Sequence, residues 1–124
     1  MENNIIKFNN KYIKDRTTQG SWRRGWEYFQ KGQIDEIKFH NNMVRAKVKG
    51  NFKSHYETAL KFTKKEIIPS CNCPLDEPWC KHVVAVAQHA IKNHWYEEFL
   101  KEKYEIESQK SEEDFEFTEN PQGG

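Results

Sequence analysis

Cys71, Cys73 and Cys80 are the only cysteines of this 124-residue chain, and they stand within ten consecutive residues of SCNCPLDEPWCKHVVAVAQHAI, residues 70–91, with His82 two places after the last. Sulfur and imidazole are the donors zinc takes in structural sites, where four of them close a tetrahedron. The spacing C-x-C-x6-C-x-H supplies that set as Cys71, Cys73, Cys80 and His82. Three cysteines cannot all pair within one chain, and a thiol cluster without a disulfide framework points to a metal in a reducing compartment. Three thiolates and a neutral imidazole leave one negative charge in excess around a divalent ion, and Lys81, between two ligands, is placed to offset it.

The spacing also sets conditions on the backbone. In an extended strand, side chains two apart point the same way at about 6.5 Å. The chain through Cys71 and Cys73 must therefore curl to bring both sulfurs within about 2.3 Å of one ion. Pro74, the next residue, is the candidate cause of that bend. Residues two apart on a helix are turned by about 200°, so Cys80 belongs at a helix entry with His82 in the first turn. Backbone N–H groups and the helix dipole favour thiolate there. The site then joins the end of a sheet to the start of a helix, and metal binding of this kind contributes about 10–16 kcal/mol of apparent folding free energy near neutral pH.

Competing readings of the same residues are less economical. Cysteines that were merely buried would scatter through the apolar pattern. A strained C-x-C disulfide or a thiol-exchange site is the second alternative, although redox motifs more often use C-x-x-C. His89 follows His82 by seven residues on the same helix side, so it could replace or support a ligand, or simply sit on the helix surface. His40, His55 and His94 read as exposed.

The elements that must hold this cluster follow from periodicity. TTQGSWRRGWEYFQKG, from Thr17, has Trp22, Trp26 and Phe29 at i, i+4 and i+7 with Gly32 at the capping place, a short helix whose rings face the core. Gly25 in its middle weakens it by roughly 1 kcal/mol against Ala. IDEIKFHNNMVRAKVKG predicts a hairpin turning at Asn41-Asn42, where Asn tolerates positive φ. Phe39 then faces Val44, Ile37 faces Ala46 and Glu36 lies across from Lys47, with Lys38, Arg45, Lys47 and Lys49 on the opposite face. HYETALKF is a third strand with Tyr56, Thr58, Leu60 and Phe62 on one side, and EIIPSC a short fourth whose Pro69 suits an edge or a strand end. From Pro78 or Cys80 to Lys103 the pattern predicts one long helix. The fold class is α+β: an antiparallel sheet of three to four strands after a short helix and before a long one, joined at the metal. Residues 1–16 read as a flexible arm or an edge strand, 17–104 as the domain, and 105–124 as an acidic, disordered tail.

Composition limits what such a chain does. It is 35% hydrophobic and 31% charged, so the core is small and a metal staple would help it. No segment approaches the roughly 18 apolar residues of a membrane span, and the N-terminus lacks a secretory pattern, so the cytoplasm, or a nucleus, is the expected compartment. The formal net charge of +1 hides asymmetry: residues 1–66 carry 15 Lys/Arg against 7 Asp/Glu, whereas residues 105–124 carry 1 against 7. A basic front suits a polyanion. Arg23, Arg24, Lys38, Arg45, Lys47, Lys49 and Lys81 are candidate phosphate contacts, the alternative being a solvated face. Trp79, between Pro78 and a ligand, is the candidate exposed ring for stacking on a base, whereas the spacing of Trp22, Trp26 and Trp95 suits a core.

The segment also resembles the SWIM zinc finger. RGWEYFQKGQIDEIKF upstream, then strands, CNCP, and CKHVVAVAQHAI after it follow that family's order of helix, sheet, C-x-C, C-x-H and helix, over residues 20–92. The resemblance implies zinc at Cys71, Cys73, Cys80 and His82, and a role in binding DNA or proteins, since these modules accompany Swi/Snf-type ATPases, transposases and recombination factors. A [2Fe–2S] cluster of the CDGSH kind also takes three Cys and one His, but the Asp-Gly after its third Cys is missing here. No nucleophile–base pair, phosphate loop or carboxylate pair stands out, and four protein ligands leave no open metal position. The expectation is a non-catalytic zinc module that binds DNA or RNA through a basic sheet face as accessory to a larger nucleic-acid machine. The alternative is an adaptor docking an ATPase or polymerase on another chain.

Overall fold

The computed structural model describes residues 5–50, 55–74 and 77–104. The order of elements is α1 (Asn10–Lys14), α2 (Gln19–Gln30), β1 (Ile34–His40), β2 (Met43–Lys49), β3 (His55–Phe62), β4 (Ile67–Cys71), α3 (Lys81–Lys92) and α4 (Trp95–Tyr104). The four strands form one antiparallel sheet in the order β1-β2-β3-β4.

The hairpin has the register its sequence predicts: Phe39 pairs with Val44, Ile37 with Ala46, Lys38 with Arg45 and Glu36 with Lys47, around Asn41 at φ 58°. Alternation then divides the sheet. Val44, Ala46, Val48, Tyr56, Thr58, Leu60 and Phe62 are buried beneath α3, while Arg45, Lys47 and Lys49 are exposed on the outer face. β4 lies at an edge, as its proline requires.

Helix α3 lies between the sheet and α2 and is buried on nearly every side, from His82 to Gln88 without interruption. The unbroken apolar run Val83–Ala87 suits a helix covered on more than one side, with Lys81, His89 and Lys92 kept to the remaining stripe. Helix α2 lies over α3, and the contact is not the one its rings suggest. The buried residues of α2 are Ser21 and Gly25, while Trp22, Trp26 and Phe29 are only half-buried. An added Cβ at Gly25 would fall 2.4 Å from Val84 Cγ1 and 3.0 Å from the Lys81 carbonyl oxygen. The glycine is there because α3 passes too close for a side chain.

The caps agree with the sequence at α2. Thr18 accepts from the Ser21 N–H at 3.0 Å. Gly32, at φ 68°, closes the other end, its N–H meeting the Phe29 carbonyl and that of Gln33 the Tyr28 carbonyl. The expected long helix, by contrast, is two helices. α3 ends at Asn93, and His94 takes φ 57°, where glycine would ordinarily stand. Left-handed backbone costs a residue with a Cβ about 1–2 kcal/mol. His94→Gly is therefore expected to stabilise the protein by about 0.5–1 kcal/mol, less than that penalty because glycine also frees the unfolded chain. A higher urea midpoint with unchanged slope checks this.

The stretch read as an arm or edge strand is neither over its described part. Phe8, Tyr12 and Ile13 are buried, and the Ile67 N–H donates to the Tyr12 hydroxyl at 3.0 Å. Phe8 joins Phe39, Tyr96 and Phe99 around Phe62, at ring separations of 5.3 to 6.0 Å. Such pairs each add about 0.5–1.5 kcal/mol beyond burial. This ring cluster holds one end of β3; the cysteines and His82 lie at the other. The acidic segment 105–124 lies outside the described residues.

Candidate metal centre

Cys71 is the last residue of β4, Cys73 lies just past it, Cys80 is the N-cap of α3 and His82 is in its first turn. The ligand atoms of the four lie within 4.8 Å of one another. Cys73 Sγ is 3.7 Å from Cys80 Sγ, and His82 Nδ1 is 3.8 Å from Cys71 Sγ and 3.7 Å from Cys80 Sγ. Zinc–sulfur bonds of about 2.3 Å at tetrahedral angles put ligand atoms about 3.8 Å apart. The three pairs Cys73–Cys80, Cys71–His82 and Cys80–His82 have that spacing, and no pair of the four is farther apart than 4.8 Å.

What curls the chain between the first two cysteines is Asn72. Its N–H donates to the Glu57 carbonyl at 3.2 Å, and its side-chain oxygen accepts the Glu57 N–H at 2.9 Å. The amide side chain takes the place of a backbone carbonyl in the β3–β4 ladder and frees the chain to turn. Sequence reasoning assigned the bend to Pro74 and missed Asn72, whose partner Glu57 stands on the neighbouring strand rather than nearby in sequence. Thr58, opposite Cys71 in the register and buried, places its hydroxyl 3.3 Å from Cys71 Sγ.

The electrostatics fit a cation. The Cys80 thiol bonded to it pulls Cys71 down to about 3 against the opposing effect of burial, with His82 and Thr58 adding to the pull. The same bond, together with burial, pushes Cys80 far up. Cys71 is favoured as thiolate, while the hydrogen bond to it, then burial and finally the neighbouring thiolate charges hold the proton on Cys80 and penalise its thiolate. A divalent ion reverses that penalty. His82 fits as well: Nδ1 faces the sulfurs and would be the ligand atom, leaving the ring proton to Nε2, which is buried and has no hydrogen-bond partner among the described residues. The rings of Tyr56 and Tyr28 hold the imidazole, at 4.8 and 5.5 Å. Lys81 lies with its ammonium 5.3 Å from the Tyr28 ring centre, on the helical side of the molecule.

The loop between the ligand pairs is fastened to α2. Glu77 accepts from the Ser21 hydroxyl at 2.9 Å and the Thr18 hydroxyl at 3.3 Å, which places a carboxylate at the positive end of the helix. Thr17 Oγ1 donates to the Trp79 carbonyl at 2.6 Å. Trp79 is 6% exposed and packs edge-on to Tyr12 at 6.0 Å, so it is not the exposed ring its position suggested.

The other candidates separate into two surfaces. Lys38, Arg45, Lys47 and Lys49 share the outer sheet face, with Lys61 of β3, which the sequence reading passed over. Arg23 and Arg24 are exposed on α2, in the other layer. His89 is no ligand: it packs against Phe29 at 6.1 Å and Trp95 at 5.7 Å, and burial, then Lys92, lowers its pKa. It forms part of a half-buried ring band, Trp22–Trp26–Phe29–His89–Trp95–Phe39, running from α2 to β1. His40 and His94 are exposed, and half-buried His55 meets Asp35.

Among the described residues, no helix is long and apolar enough to cross a membrane. Set against known proteins, the chain matches no curated protein and no solved structure. One family model does match: that of the SWIM zinc finger, over residues 56–91. The match runs from β3 through α3 and takes in all four ligands, leaving α2 and the β1–β2 hairpin outside it. With the donor set, its spacing and the match in agreement, residues 56–91 of this chain are a SWIM zinc finger, built around one structural zinc site at Cys71, Cys73, Cys80 and His82.

Proposed function

We propose that this zinc module is non-catalytic and binds nucleic acid through the outer face of its sheet, as accessory to a larger nucleic-acid machine. One observation carries the reading. Lys38 and Arg45 stand directly opposite each other on β1 and β2, and neither has an ion-pair partner among the described residues. Like charges directly opposite on a sheet destabilise it. A bound polyanion turns that cost into a gain. Lys49 and Lys61 extend the patch, whereas Lys47 lies 4.0 Å from Glu36 and pairs in register with Glu57. Four protein ligands on the zinc leave no position for water or substrate, which supports a binding role.

Arg45→Glu tests this. It places opposite charges across the strands, so the free protein gains about 0.2–1 kcal/mol, while affinity for nucleic acid falls and the slope of log K against log salt shrinks by about 1 or more. Anisotropy titrations at several salt concentrations, beside a thermal melt, read both. Unchanged affinity and slope count against the proposal.

The ring band favours a second reading, an adaptor that docks a protein such as an ATPase or polymerase subunit. Partner capture that survives nuclease treatment, and is lost on Trp26→Ala with nucleic-acid affinity intact, would select it.

A further inference from the structure

We infer that the outer sheet face takes the sugar–phosphate backbone of a double helix and not the unstacked bases of a single strand. The inference rests on the nucleic-acid reading above and specifies its ligand. Proteins that hold single strands combine cations with aromatic rings on which successive bases stack. The described residues of the outer face include Lys38, Arg45, Lys47, Lys49 and Lys61, but no Trp, Tyr or Phe: the rings of β1 and β3 all point inward, with Tyr56 and Phe62 buried and Phe39 stacked on Trp95. The four tryptophans are elsewhere too. Trp79 is buried, Trp22 and Trp26 belong to α2, and Trp95 belongs to α4.

The spacing of the cations suits a rigid, charge-dense ligand. Strands lie about 4.8 Å apart and outward residues recur about every 6.8 Å along them. From Arg45 to Lys49 the patch is therefore about 14 Å long, and a duplex offers one charge per roughly 1.7 Å of its axis. With Lys47 engaged by Glu36, the face has Lys38, Arg45, Lys49 and Lys61 to meet three or four phosphates. A salt slope of about −3 follows, a fall in affinity of about 60-fold between about 50 and 200 mM salt.

The test uses the full zinc-loaded chain with a short mixed-sequence DNA duplex, its single strand and an RNA duplex of the same length, following anisotropy of the labelled nucleic acid and tryptophan emission of the protein. The expected result is duplex binding at least about ten-fold tighter than single-strand binding, with the stated salt slope. Tryptophan emission stays unchanged, and the double variant Lys38→Glu, Arg45→Glu loses the duplex. The two duplexes show whether DNA or RNA is preferred. Equal or tighter binding of the single strand, quenched tryptophan, or duplex binding indifferent to the double variant overturns the inference. Quenching with single-strand preference would move nucleic acid to the ring band, overturning the outer-face assignment and leaving only nucleic-acid binding itself standing. Failure of all three probes to bind at about 50 mM salt overturns the nucleic-acid reading itself.

Discussion

Cys80→Ser is expected to leave the protein without stoichiometric zinc and without a cooperative fold. Cys80 is fully buried, caps α3 and has its sulfur 3.7 Å from both Cys73 Sγ and His82 Nδ1. A serine hydroxyl there is a poor zinc ligand and adds a polar group to a buried place. Structural zinc contributes about 10–16 kcal/mol of apparent free energy near neutral pH, whereas domains of this size have about 5–15 kcal/mol in total. Loss of the ion is therefore comparable to the whole stability of such a domain. Metal analysis of the purified variant, with a thermal melt by far-UV circular dichroism, checks it. A variant that lacks zinc and still melts with the native midpoint would show that the site is incidental to the fold. Chelator treatment of the native protein should reproduce the loss and added zinc should reverse it.

Gly25→Val is expected to be the most damaging change remote from the ligands. The new Cβ alone meets Val84 Cγ1 at 2.4 Å, Val84 Cβ at 2.5 Å and the Lys81 carbonyl oxygen at 3.0 Å. Overpacking of this kind costs about 1–3 kcal/mol and occasionally more. Backbone is among the atoms struck, so a change of rotamer cannot relieve it. Gly25→Ala is the milder probe, since helix propensity returns about 1 kcal/mol. The push falls on the first turn of α3, where Lys81 lies between two ligands, so zinc affinity should fall together with stability. Urea unfolding and competition with a chromophoric chelator measure the two. Val84→Ala in the Gly25→Ala background should restore only a small part of the loss, because it removes Cγ1 and leaves the contacts with the residue 84 Cβ and the Lys81 carbonyl. A stable Gly25→Val variant with native zinc affinity would mean that α2 does not lie where it is placed here.

Much of the site was legible before any coordinates. Donor chemistry selects Cys71, Cys73, Cys80 and His82, and the two-residue spacings dictate a curled strand end and a helix entry. The hairpin was legible to the residue pair, because side chains alternate with a period of two and a short Asn-Asn turn leaves little freedom of register. The way the ligands are supported was not legible. Asn72, Thr58 and Glu77 are polar residues of ordinary type whose partners lie 13 to 59 residues away, and sequence spacing does not reveal such pairs.

The sequence by itself determined the ligand set, the sheet with its two faces and the charge of the outer one, since each depends on residue type and local period. Tertiary structure decided which side of α2 is inward, that Phe8, Tyr12 and Ile13 belong to the core, that Trp79 is covered, and that the last helix breaks at His94. In α2 the periodic reading chose the stripe of largest rings, but α3 is enclosed on nearly all sides and approaches closely enough that only a glycine fits. The physical reason is common to these cases. Local pattern records which groups avoid water, whereas close packing depends on the shape of whatever element arrives opposite, and that shape is set by residues far away in the chain.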